Sequence, residues 1–545
     1  MLKNFHWWQT TTIYQVYPRS YLDSKGDGIG DIQGIISKLD YIKDLGFETI
    51  WFSPFFKSPQ GDFGYDISDY YSIAPEYGDL EVVQRLIDEI HIRKMRVIFD
   101  LVMNHTSIEH PWFRESRSSW DNPKSDWYIW RDGKDNNPPN NWHAIPGGSG
   151  WHYEKSRDQW YYGSFLPFMA DLNYRNPQVK SEMLNVARYW LEKGVDGFRL
   201  DIFHAIYKDE QFRNNPFSFH YVPTHDLSAG WFQKWIFNLN LPETYEFAKE
   251  LRSFVERITP GALLLGEVDG SDEAIRAYLG EKGDGLNLVF LWKLLYLKPT
   301  AAFFRRVVQV YENEYAEPFI PVYVFGNHDV KRLLSKIKGD LRIAKLLAVF
   351  QFTVRGVPVI YYGEEIGMQE GKFSLKKALD PMGRKYSWVP DKVAALVNIY
   401  VNRDGCRTPM QWNKSPNAGF TAPNATPWLP LNPDYHQVNV ENQASDPNSL
   451  WNVYKALLRI RKEHYVLQIG SLRLLDIKES NPKLLVYARE SDEEKLLVII
   501  NFVKTKQTFV NNTGCKKLIY QVGEILTNKD GKIEIGPFSA IILSR

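Results

Sequence analysis

The 545 residues carry 66 Lys and Arg against 65 Asp and Glu, a net charge of +1. That balance removes the basic footprint of a nucleic-acid-binding protein and favours a neutral small-molecule substrate. A single core stops growing near about 250–300 residues, so one large domain with smaller companions is expected. No apolar run reaches about 18 residues, which excludes a membrane helix.

Short β-rich runs alternate with helical periodicity along the chain. TIYQVYP (12–18) is followed by Ile32, Ile35, Ile36, Leu39 and Ile42 at helical spacing, and ETIWFSP (48–54) by Val83, Leu86, Ile87 and Ile90. RVIFDLV (96–102) runs into a long irregular stretch, after which Val179, Met183, Ala187 and Trp190 lead into GFRLD (197–201). ALLLGE (262–267), LNLVFLW (286–292), PVYVFGNHD (321–329) and GVPVIYYG (356–363) complete the series. Eight strands alternating with helices predict an α/β fold whose parallel sheet closes as a (β/α)8 TIM barrel; an open doubly wound sheet fits the same pattern.

The interruptions set the expected domain plan. The barrel occupies 1–103 and 176–467, and residues 104–175, rich in Trp, Asn, Pro and Gly, form an inserted domain after strand three. A second irregular insertion follows strand eight at about 365–445. Alternation at 484–488, 496–500 and 532–535 predicts a C-terminal antiparallel β-sandwich over 468–545. Two cysteines, Cys406 and Cys515, make neither a disulfide framework nor a metal cluster. The N-terminus MLKNFHWWQTTTIYQ lacks the apolar core of a signal peptide. Both features point to the reducing cytoplasm.

Charged residues gather at the C-terminal strand ends, where a TIM barrel keeps its active site. Strand three ends in DLVMNH (Asp100, Asn104, His105), strand four in FRLD (Arg199, Asp201), strand five in LLLGE (Glu267) and strand seven in FGNHD (His328, Asp329). Arg199 and Asp201 sit two apart and so share one strand face. Alone, such a pair fits a structural salt bridge as well as a catalytic one. Carboxylates without a metal cluster, a cysteine nucleophile or a phosphate loop suit glycosidic bond hydrolysis, in which one protonates the leaving oxygen and another attacks the anomeric carbon or activates water. On this reading Arg199 keeps Asp201 ionised as nucleophile. Glu267, with no cation in its own motif and facing two aspartates, has a raised pKa and carries the proton.

DLVMNH, GFRLD, GE and GNHD, in this order, resemble the signature regions of the α-amylase superfamily, glycoside hydrolase family 13. YQVYPRSYLDSKGDGIGD, GYDISDYYSIAPEYG and RDGCRTPMQW are most similar to its α-glucosidase and oligo-1,6-glucosidase group. The resemblance implies Asp201 as nucleophile, Glu267 as general acid/base and Asp329 as transition-state stabiliser. It also implies that Asp66, His105, Arg199, His328 and Arg403 bind the innermost glucose while Tyr65 stacks on it. A pair of Asp66 with Arg403 would read a free O4 and close the rear wall, giving exo-action on short oligosaccharides of the maltose or isomaltose type. A glucosyl transferase or isomerase acting on sucrose or maltose is the alternative.

The chemistry requires no cofactor. The loop at 23–31 resembles the group's structural Ca2+ (or Mg2+) site, with Asp23, Asp27, Asp31 and the Ile29 carbonyl as ligands. Lys25 replaces an oxygen donor there, so either a cation binds with water or the ammonium takes its place. MADLN (169–173) departs from the Gln-Pro pair common in relatives. Ile202, after the nucleophile, leaves α-1,4, α-1,6 and sucrose linkages open, and His204 is expected to pack or to support the site from behind rather than to act as a catalyst. Oligomeric state is open.

Overall fold

The computed structural model describes residues 5–391, 400–475, 481–529 and 531–545. Strands form at all eight expected runs: β1 (Ile13–Val16), β2 (Thr49–Phe52), β3 (Arg96–Leu101), β4 (Gly197–Leu200), β5 (Leu263–Gly266), β6 (Leu288–Val289), β7 (Val322–Val324) and β8 (Val357–Tyr361). They are hydrogen-bonded in the order β6-β5-β4-β3-β2-β1-β8-β7. A parallel bridge from Leu291 to Tyr323 joins β6 to β7, so the sheet closes and the doubly wound alternative falls away.

Helices α1 (Leu39–Leu45), α2 (Leu80–Ile92), α3 (Pro177–Glu192), α4 (Pro242–Ile258), α5 (Asp272–Leu279), α6 (Ala301–Glu314), α7 (Leu341–Thr353) and α8 (Leu450–Glu463) follow the strands in turn. In α2, Asp79 accepts from the Val82 amide as N-cap, and Val83, Leu86, Ile87 and Ile90 are buried as one stripe. The periodicity over 32–42 is split into two helices instead of one. Ser37 Oγ bonds the Gly34 carbonyl at 2.6 Å, a local bond that competes with helix continuation.

Side-chain alternation explains the charged residues in an apolar run. Outward positions such as Phe99, Leu101, Phe198 and Leu200 pack in the main core beneath the helices. Inward positions form a separate apolar plug of Ile13, Trp51, Ile98, Leu263, Leu265, Val322, Val324, Val357 and Val359. Toward the strand C-termini the inward residues of β1, β3 and β4 become Gln15, Asp100 and Arg199, all buried. Arg199 is paired in register with Asp100. Gly197 takes φ 152° at the start of β4, where a Cβ would lie 2.1 Å from the Leu263 carbonyl oxygen.

Between β3 and α3, a three-stranded antiparallel sheet (Trp130–Arg131, Gln159–Tyr162, Trp151–Glu154) surrounds an aromatic cluster of Trp142, Trp151 and Tyr162. A further excursion, unforeseen in the sequence, lies between β4 and α4, with a small hairpin (Ala229–Gly230, Gln233–Lys234). Its Trp231 and Trp235 pack against Ile145 of the β3–α3 insertion. After α8, a five-stranded and a three-stranded antiparallel sheet enclose Leu484, Val486, Leu497, Ile499, Phe509 and Ile533. Part of the irregular stretch at 365–445 lies outside the described residues. Among those described, no helix is long and apolar enough to cross a membrane.

Candidate active site

Arg199 is the hub of the inward polar layer. Its Nη1 donates to Asp100 Oδ1 (2.7 Å) and Asp201 Oδ1 (2.8 Å), and its Nη2 donates to Glu267 Oε2. The expectation that Glu267 lacks a cation is therefore corrected: β5 runs beside β4, which brings Glu267 onto the same guanidinium as Asp201. Burial raises the Asp201 carboxyl well above its ordinary range. Arg199 pulls it down, and Glu267 and Asp100 push it further up. The sequence reading, in which Arg199 alone sets the charge of Asp201, underweighted this desolvation. Burial likewise pushes Asp100 up to about 6 against the pull of Arg199. Asp100 and Asp201, joined through one guanidinium, are both held toward the protonated form by burial.

The chain leaves β4 through Ile202, whose φ of 32° and ψ of 44° are left-handed, an outlying conformation for a β-branched residue. At this turn the Ile202 amide donates to Glu267 Oε2, 3.1 Å away.

A second cluster lies across the cavity around the 3-10 turn Arg403–Arg407. Asp329 Oδ1 accepts from Arg403 Nη1 (3.0 Å) and Arg407 Nη2 (2.9 Å), and its Oδ2 is 3.0 Å from His328 Nε2. Burial raises Asp329, but His328, Arg403 and Arg407 together hold it well below the usual carboxylate range. Arg403 Nη2 also reaches Asp62 (2.5 Å) and Asp380 (2.7 Å).

The expected partner Asp66 is not there. Its carboxylate accepts from Ser58 Oγ (2.9 Å), the Gly61 amide (2.9 Å) and the Asp62 amide (3.0 Å) and ties the loop together. Phe63 (φ 49°) and Gly64 (φ 109°) turn the loop so that Asp62 meets the arginine. Burial pushes Asp62 up to about 7, against Arg403 and Arg407.

Both clusters border a cavity of about 440 Å3 lined by Asp62, Tyr65, His105, Asp201, Glu267, Asp329 and Arg403. The Tyr65 hydroxyl donates to Asp100 Oδ2 (3.0 Å), and its ring stacks on His328 at 5.3 Å. His328 is fully buried, and its Nδ1 is 2.8 Å from Gln15 Nε2. Arg199 and His328 thus support the lining carboxylates from behind, whereas His105 and Arg403 face the cavity. Burial lowers His105 to about 4, so the ring is neutral. His204 also borders the cavity, buried and with neither ring nitrogen bonded. Sequence reasoning missed Asp62, Asp380, the lining residues 221–235 and the His225–Asp269 pair (2.8 Å). The unusually long and aromatic gap between β4 and α4 was the available signal.

In the 23–31 loop the carboxylates are engaged by donors of the protein itself. Asp23 Oδ1 accepts from the Lys25 and Gly26 amides (2.8 Å each), and its Oδ2 accepts from the Gly28 amide (2.7 Å) and from Thr421 Oγ1. Asp31 accepts from Ser24 and from the Gly34 amide it caps, and Asp27 from the Ile29 amide at 2.9 Å. Lys25 Nζ donates to the carbonyls of Glu76 (2.8 Å) and Pro75 (3.3 Å). Among the described residues no group of three or more His, Cys, Asp or Glu could hold a metal.

The profile of the α-amylase catalytic domain matches residues 15–470. The chain belongs to the α-amylase family. Within this family it is 37% identical over 545 residues to an oligo-1,6-glucosidase of Parageobacillus thermoglucosidasius, covering 92% of each chain. It is 39% identical to a probable α-glucosidase of Rhizobium meliloti, covering 91% of this chain and 89% of the relative. Among solved structures, an α-glucosyl transfer enzyme, XgtA, superposes with a TM-score of 0.89 at 35% identity, covering 99% of this chain and all of the other. The trehalulose synthase MutB from Pseudomonas mesoacidophila MX-45 gives 0.89 at 32%, with the same coverage.

Proposed function

We propose that the protein is a retaining exo-α-glucosidase that removes terminal non-reducing glucose from short α-linked oligosaccharides. The observation that carries this reading is that Asp201 and Glu267 occupy the two terminal nitrogens of one guanidinium. Carboxyls held side by side suit the spacing of about 5–5.5 Å used for retention, rather than the 6.5–9.5 Å that leaves room for an attacking water. Asp201 attacks the anomeric carbon while Glu267, acting as general acid, delivers a proton to the departing oxygen. Glu267 then takes a proton from water, which displaces Asp201 and restores it. Asp329, held anionic, stabilises the positive charge that develops on the sugar ring.

Asp62 and Arg403 wall the pocket behind the innermost glucose and can bond its O4 through charge-assisted hydrogen bonds, which favours exo-action. The oligo-1,6-glucosidase relatives support an α-1,6 bond. Glucosyl transfer is the second reading, favoured by the likeness to XgtA and MutB. Cys406 and Cys515 are buried and free, which suits the reducing cytoplasm. The test is incubation with isomaltose, maltose and sucrose, with products followed by NMR. Release of α-glucose first is expected; β-glucose first, or cleavage of oligosaccharides blocked at the non-reducing end, would overturn the reading.

A further inference from the structure

Gln15, an inward residue of β1, is fully buried, and no step of the glucosidase reaction touches it. Its amide Nε2 lies 2.8 Å from His328 Nδ1 and 3.1 Å from Ser53 Oγ. An amide nitrogen only donates, so Nδ1 accepts and carries no hydrogen. The other end of the ring agrees. Tyr65 donates its one hydroxyl hydrogen to Asp100 Oδ2 (3.0 Å), so toward His328 Nε2, 2.5 Å away, the same hydroxyl oxygen accepts. Asp329 Oδ2, 3.0 Å from Nε2, is a second acceptor. Nε2 therefore bears the ring hydrogen.

Turning the amide over would place its oxygen against Nδ1. Nε2 faces two acceptors whichever way the amide points, so the ring would then need a hydrogen on both nitrogens and a positive charge. Burial holds the ring below its ordinary pKa; Asp329 opposes this, and Arg407 and Arg199 add to it. Turning would also exchange one unbonded buried acceptor, Gln15 Oε1, for two unbonded donors. The ring itself is held in place. Tyr65 stacks parallel to it at 5.3 Å and Tyr17 stacks at 6.0 Å, while Arg407 Nε (2.8 Å) and Cys406 Sγ (3.1 Å) donate to the His328 carbonyl.

The charge of this ring matters to Asp329, whose Oδ1 already meets two guanidiniums, those of Arg403 and Arg407. An imidazolium on Oδ2 would add a third cation beside the carboxylate that faces the developing positive charge of the sugar, and so oppose that charge. A neutral N–H donor holds the same oxygen without opposing it.

We propose that Gln15 is a positioning residue of the hydrolytic reaction: by donating to Nδ1 it fixes His328 as the uncharged Nε2–H tautomer, and so sets the charge that Asp329 presents to the sugar. This rests on the reading of Asp329 as the stabiliser of the transition state.

The test uses Gln15→Met, which fills the space without a donor. Nothing then opposes a proton on Nδ1, and His328 becomes charged as pH falls. Of the groups facing the ring, Asp329 is held ionised, Tyr17 and Tyr65 protonated, and Arg199 and Arg407 cationic. Asp100, beyond Tyr65, titrates in both proteins and cancels in their ratio. Relative to the unsubstituted protein, kcat on isomaltose or maltose should be about tenfold lower at pH 5 and about threefold lower at pH 7, with KM within about twofold. The same loss at both pH values would mark a packing role and overturn the proposal. In a His328→Asn background, Gln15→Met should lower kcat by less than about twofold, because both changes act through one ring; an additive loss would overturn the proposal. Nitrogen NMR of the unsubstituted protein labelled in histidine reads the tautomer without turnover, the His328 signals being assigned by their absence from the His328→Asn protein. A bare Nδ1 and a protonated Nε2 are expected, and a protonated Nδ1 would overturn the proposal. A bare Nδ1 in a protein that turns over no α-glucoside would instead overturn the hydrolytic reading and leave the tautomer assignment standing.

Discussion

Replacing Arg403 by Ala separates its three carboxylate partners by what each retains. Asp329 keeps Arg407 at 2.9 Å and His328 at 3.0 Å. Asp380 is not on the cavity wall and still accepts from the backbone amide of residue 403 at 2.7 Å. Asp62 is left with Arg407 Nη1 at 4.0 Å. Its carboxyl, already raised to about 7 with both arginines present, then becomes protonated at neutral pH and loses its charge-assisted bond to substrate. Leaving one member of a buried charged pair without its partner costs about 2–4 kcal/mol, or about 30- to 1,000-fold in kcat/KM. KM should rise and kcat should fall, because the contact orients the glucose as well as binding it. Initial rates on isomaltose and maltose measure the loss, and a thermal melt checks that the protein remains folded. Asp62→Asn should cost little more in the Arg403→Ala background, since both changes disable the same contact. A loss below about threefold, or two losses that simply add, would refute this reasoning.

Asp201→Asn should abolish turnover with the fold intact, whereas Glu267→Gln should spare activated aryl glucosides far more than isomaltose; equal losses on both substrates would remove Glu267 from the acid role. The raised Asp62 pKa implies that the folded state holds an extra proton between about pH 4 and 7, so stability falls as pH rises through that window. Denaturant titrations at pH 5 and 7 should show a larger fall for the unsubstituted protein than for Asp62→Asn, and parallel behaviour would remove Asp62 as the source. Dialysis against a chelator should leave Tm within about 1 °C, because the Asp23 and Asp31 oxygens are already bonded to N–H and O–H donors and Lys25 supplies the local positive charge. A large drop reversed by Ca2+ would show that the loop rearranges to bind it.

The barrel was legible because strand and helix periods differ and helical stripes separated the first four apolar runs. The alternation that put Arg199 and Asp201 on one face also showed that this face was the inner one once the other strand ends proved charged. The choice between Asp62 and Asp66 was not legible. Both lie in GDFGYD, and only the positive φ of Phe63 and Gly64 decides which carboxylate faces Arg403. The cation of Glu267 was hidden for a similar reason: a search confined to one motif does not see a guanidinium on the neighbouring strand. Residues 221–235 carry no regular period, so their place on the cavity wall follows from tertiary packing alone.

The left-handed Ile202 sets endurance against turnover at one position. A branched residue in that conformation stores about 1–2 kcal/mol relative to glycine, and what it holds in return is an amide aimed at Glu267. Exchange for Gly or Asn would relieve the strain and let the same amide wander. A laboratory selection for heat resistance alone would therefore accept such exchanges beside the nucleophile and return hardier, slower enzymes. Selection that also demands product at each round would keep isoleucine and find its added stability elsewhere in the barrel.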